Sequence, residues 1–71
     1  HLLVIPKRHM ESLLTVDASD AEILGQLTTK LPDIAKQQGL HAGFRTLINT
    51  GPQGGQEVYH LHYHILGEPS Q

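Results

Sequence analysis

His60, His62 and His64 occupy alternate positions in the run Tyr59-His60-Leu61-His62-Tyr63-His64-Ile65-Leu66. Side chains repeat every two residues along an extended chain, so the run predicts a strand with all three imidazoles on one face. Tyr59, Leu61, Tyr63 and Ile65 fall on the other, a face suited to a core. Burying three imidazoles together is costly unless each has a partner, so packing alone does not explain such a strand.

The chain has 71 residues, room for one small domain and a core of marginal stability. It has no cysteine, which removes disulfides and thiolate metal clusters and fits a reducing compartment; the expected location is cytoplasmic. It opens at His1, inside the apolar run Leu2-Leu3-Val4-Ile5, and is read as part of a longer protein, one chain of an oligomer, or both. Net charge is −2, and Lys7, Arg8, Lys30, Lys36 and Arg45 are scattered, so nucleic-acid binding has little support. The apolar runs are too short to span a bilayer, and nothing resembles a signal peptide.

Residues 1–5 read as a buried strand ended by Pro6, followed by the polar, solvated connector Pro6-Lys7-Arg8-His9. Residues 10–14 fit a helical turn or a loop. A helix is expected to start near Asp17, an N-cap candidate, with Ser19 and Glu22 as an alternative capping box. Ile23, Leu24, Leu27, Leu31, Ile34 and Ala35 are spaced to share one helix face. Pro32 is expected to kink or divide that helix, and Gly39 to cap its end. Residues 44–49 read as a second strand, 50–55 as a glycine-rich hairpin loop, and 57–66 as the histidine strand. The order predicts one α+β domain over residues 1–71: a mainly antiparallel sheet with a helix on the face opposite the histidines. Tyr59 and Tyr63 are expected to face the core, and His41 the solvent.

Two uses of the histidine face compete. Three imidazoles suit zinc, but neighbours on one strand face lie about 6.5–7 Å apart, so the outer two splay and a further ligand such as His1, His9 or Glu57 would be required. The alternative is nucleophilic catalysis by the middle imidazole, with a second imidazole protonating the leaving group. A nucleophilic ring nitrogen needs the other nitrogen protonated and held by an acceptor. Gly51, Gly54 and Gly55 just upstream permit a backbone that turns N–H groups toward an oxyanion. Loop and strand together point to phosphoryl or nucleotidyl transfer, and no Gly-Lys-Ser/Thr sequence supports a P-loop.

The stretch from Asn49 to Gly67 resembles the histidine triad (HIT) superfamily, whose signature is His-φ-His-φ-His-φ-φ with φ apolar. Its flanks, and the segment His1-Leu2-Leu3-Val4-Ile5-Pro6-Lys7-Arg8-His9, resemble the Hint branch, the purine nucleoside phosphoramidases. The resemblance implies cleavage of a P–N bond in a nucleoside phosphoramidate without metal or cofactor. In that scheme His62 attacks the α-phosphorus to give a nucleotidyl-histidine, and His64 protonates the leaving amine. His60 and His1 support them, while Asn49 and the backbone of Gly55, Gln56 and Glu57 join His62 and His64 around the phosphate. It further implies a purine nucleotide substrate, a homodimer with a shared sheet, and N-terminal strands that this chain lacks. Glu57 departs from the serine or threonine that Hint relatives often carry. The alternatives are a dinucleotide polyphosphate hydrolase of another HIT branch and a non-catalytic zinc- or nucleotide-binding module.

Overall fold

The computed structural model describes residues 1–70. Three short strands, β1 (Leu2–Val4), β2 (Arg45–Leu47) and β3 (Tyr63–Leu66), form an antiparallel sheet in the order β1-β3-β2. One long helix, α1 (Ala21–Gln37), joins β1 to β2 and packs on one face of the sheet. This is the α+β architecture expected. The core forms where the two layers meet: Leu31 and Ala35 of α1 are buried with Val4, Leu61, Tyr63 and Ile65. Ile23, Leu24, Leu27 and Ile34 pack around them, which completes the expected helical stripe. The Tyr63 hydroxyl and Thr28 Oγ1, 2.8 Å apart, tie the layers together.

The ends of the helix follow from its sequence. Asp17 caps a single 3-10 turn (Ala18–Asp20) that leads into α1. Its side chain accepts from the Ser19 N–H, while Asp20, rather than Glu22, reaches back to the Asp17 N–H at 3.1 Å. Pro32 neither ends nor divides the helix, which runs five residues beyond it. It sits on the solvent side, where water can reach the Thr28 carbonyl that lacks its N–H donor. At the C-terminus the Gly39 N–H donates to Lys36 O and the Leu40 N–H to Ala35 O, a Schellman closure that needs the positive φ of Gly39 (+81°). Residues 10–14 are not helical; a turn at Leu13–Thr15 follows Ser12, whose hydroxyl accepts from the Leu14 N–H.

The histidine strand is shorter than expected. Only residues 63–66 lie in the ladder, and residues 58–60 form a bend. Leu2 pairs with Ile65, Leu3 with His64 and Val4 with Tyr63; continuing that register sets Pro6, which has no N–H, against Leu61. The chain stays extended enough to preserve alternation: Leu61, Tyr63 and Ile65 are buried, and His60, His62 and His64 half-buried. Tyr59 lies in the bend and is 45% exposed, so it does not face the core. The link from β2 to β3 spans residues 48–62 and is not a tight hairpin.

Candidate active site

β3 and the segment before it carry the imidazoles on the sheet face turned away from α1. Cross-strand pairing puts Leu3 on this face beside His64, and Leu3 is 61% exposed. The triad histidines on this face are half-buried; a separate groove of about 400 Å³ lies among Ile5, Lys7, Arg8, Ile23, Leu27 and Lys30.

The hydrogen bonds around the rings assign their protons. His62 Nδ1 lies 2.7 Å from the carbonyl oxygen of His60. A carbonyl only accepts, so Nδ1 carries the proton and Nε2 of the neutral ring has its lone pair free. By the same argument His60 Nε2 donates to Pro6 O at 3.1 Å. His64 Nδ1 meets His1 Nε2 at 2.8 Å, and one proton lies between them. Asn49 Nδ2 approaches His64 Nε2 at 3.5 Å, a long contact with the amide nitrogen as donor. The rings of His62 and His64 are 4.9 Å apart at 64°, and those of His1 and His64 5.0 Å apart at 31°. His1, His62, His64 and Asn49 therefore form one connected group, and His60 joins it through its backbone carbonyl.

The glycine loop lies directly before this group. Gly54 N–H and Gln56 N–H donate to Gly51 O, and Gly55 N–H to Pro52 O, so the Gly55 and Gln56 amides are engaged inside the turn. Gly54 is sterically required, because a Cβ there would run into the Thr50 carbonyl. The Gln56 side chain is buried at 5% exposure, and its amide is used in full. Its oxygen accepts from Gly51 N–H at 3.0 Å, and its nitrogen donates to Glu11 O at 2.7 Å and Val58 O at 3.1 Å. This clasp ties loop, connector and histidine segment together, and nothing in the sequence marks it. Glu57, next in the chain, is exposed, so its carboxylate is free to turn to water.

His9 is exposed, as expected of the connector, and its ring lies edge-on to His60 with centroids 5.0 Å apart. His41 is exposed as expected. Among the described residues, no three His, Cys, Asp or Glu side chains converge as a metal site requires, and no helix is long and apolar enough to cross a membrane.

Comparison with known proteins agrees with this geometry. The protein HitA of Neisseria gonorrhoeae is 55% identical over 69 residues, covering 97% of this chain and 64% of its own length. The crystal structure of a HIT family hydrolase from Legionella pneumophila superposes with a TM-score of 0.88 at 38% identity, over 96% of this chain and 62% of that one. A histidine triad protein from Clostridium difficile gives 0.85 at 41% identity, over 97% and 61%. The chain thus spans about three fifths of the length of the relatives it matches. The HIT domain model matches residues 1–71, and with the triad, the sheet and the helix in their places, the chain belongs to the HIT family.

Proposed function

We propose that residues 1–71 form the catalytic part of a Hint-like nucleotide hydrolase or transferase that cleaves the P–N bond of purine nucleoside phosphoramidates. One observation carries the reading: His62 Nδ1–H donates to the His60 carbonyl, which keeps the proton on Nδ1 and leaves the Nε2 lone pair available as a nucleophile. The Nε2 lone pair attacks the α-phosphorus, the P–N bond breaks, and its electron pair leaves with the amine. His64, braced by His1, acts as the general acid: in the reacting state its Nε2 carries a proton, which passes to the departing amine, after which the Asn49 amide nitrogen can donate to the bare Nε2. Water, giving a proton back to His64, attacks the phosphorus of the nucleotidyl-histidine and frees the nucleoside monophosphate and His62. Asn49, beside the His64 ring, is the side chain on the side proposed for the phosphate. The Gly55 and Gln56 N–H groups, expected to bind the phosphate, donate within the turn instead, so of that loop the proposal keeps only the backbone of Glu57 as a phosphate donor.

The same proposal includes a cytoplasmic homodimer. Its support is β2, an edge strand with Arg45 and Thr46 exposed, along which a second copy can extend the sheet. The catalytic reading is tested by incubating the protein with adenosine 5′-phosphoramidate and searching for a nucleotidyl adduct by mass. His62→Ala is expected to abolish adduct and turnover, and His41→Ala to leave both unchanged. Wild-type turnover in His62→Ala would refute the assignment.

A further inference from the structure

We infer that His9 is a positioning residue for His62, acting through His60 and the peptide unit that joins residues 60 and 61; the inference rests on His62 being the nucleophile proposed above. The histidine segment loses its sheet partner just where its aim matters. The ladder begins only at Tyr63, and residues 58–60 bend. From 60 to 62 the chain is held instead by the connector after β1. His60 Nε2 donates to Pro6 O at 3.1 Å, Leu61 N–H donates to Met10 O at 2.6 Å, and the His9 ring stands edge-on to the His60 ring at 73°.

Both ends of the 60–61 peptide unit are therefore engaged. Its N–H donates to Met10 O, and its C=O accepts from His62 Nδ1–H at 2.7 Å. A peptide unit is planar, so turning one end turns the other. Whatever fixes the plane fixes the direction of the carbonyl, and with it the tautomer and aim of His62. His9 lies in sequence between Pro6 and Met10, the two backbone anchors, and its ring packs edge-on against the His60 ring that donates to Pro6 O. Because His9 is exposed, removing its ring opens no buried cavity, and its influence on His62 separates from an effect on folding.

The test uses the protein with His9→Ala and His9→Phe, read by long-range 1H–15N NMR of the imidazoles and by the rate of nucleotidyl-histidine formation. In the wild type, His62 is expected to carry its proton on Nδ1. In His9→Ala the His62 ring becomes a mixture of both tautomers, and adduct formation slows about tenfold at saturating substrate with KM within about twofold. His9→Phe, which keeps a flat ring against His60, restores both. A wild-type His62 tautomer in His9→Ala, or a phenylalanine variant that behaves like alanine, would overturn the inference. The NMR result does not depend on turnover. A wild type that forms no adduct, together with an altered His62 tautomer in His9→Ala, would remove the catalytic reading and leave the positioning role standing.

Discussion

Replacing Gln56 by leucine removes three hydrogen bonds while nearly conserving volume. The Gly51 N–H loses its acceptor in a buried position, and the Glu11 and Val58 carbonyls lose a donor in partly buried ones. Stranding a buried N–H costs about 1–3 kcal/mol, and each partly buried bond contributes about 0.5–1.5 kcal/mol net. The middle of these ranges gives a destabilisation of about 4 kcal/mol for Gln56→Leu, large for a single polar side chain. Urea unfolding should show a lower midpoint at unchanged slope, since the surface exposed on unfolding barely changes. Gln53→Leu, three residues earlier and exposed, serves as the control and should shift stability by less than about 0.5 kcal/mol. Equal effects at the two positions would refute the clasp. Gln56→Glu sharpens the test: it keeps an acceptor for Gly51 N–H but sets a carboxylate against two carbonyls, so it should be no more stable than the leucine variant.

Other perturbations follow from individual contacts. Ile65→Ala empties a fully buried site under the sheet and should cost about 2–5 kcal/mol, whereas Leu14→Ala, 71% exposed, should stay within about 0.5 kcal/mol; denaturant titration of both separates them. Gly54→Ala should distort the loop around Thr50 and weaken binding of a nucleoside monophosphate while leaving the helical circular dichroism intact; calorimetry showing unchanged affinity would contradict the steric argument. The Ser19 hydroxyl and N–H hold the Asp17 carboxyl below the usual carboxylate range. A carboxyl depressed in the folded state stabilises above its unfolded pKa, and that contribution is lost as pH falls through the lower folded value. Asp17→Ala should therefore lower the melting temperature at neutral pH and differ less from wild type in acid, below the carboxylate range.

Much of the fold is legible because its periodicities are strong. The leucine stripe of α1 and the alternation of residues 60–66 each bury the face they specify, so helix and sheet meet where patterning puts them. Asp17 and Gly39 end the helix by local chemistry that reads directly from residue type. Pro32 misleads because its penalty depends on whether water can reach the orphaned carbonyl, which only the packed helix decides. The histidine strand is shortened by a partner 55 residues away: Pro6 cannot donate to the ladder opposite Leu61, and that pairing is invisible until the register is known. Tyr59 is exposed for the same reason. In the site, the alternating triad and its resemblance to the HIT signature are what nominate His62 as the proposed nucleophile. The roles of His9 and Gln56 arise from contacts across the fold, where an ordinary connector histidine and a glutamine in a glycine loop carry no local signal.

The account turns on the bond from His62 Nδ1–H to the His60 carbonyl, which reserves Nε2 for phosphorus. Quenching the reaction of the protein with adenosine 5′-phosphoramidate, then locating the phosphorus by 31P–15N correlation on histidine-labelled protein, tests this directly. The expected product is a single adduct, on Nε2 of His62. Phosphorus on Nδ1, on another histidine, or on none would contradict it.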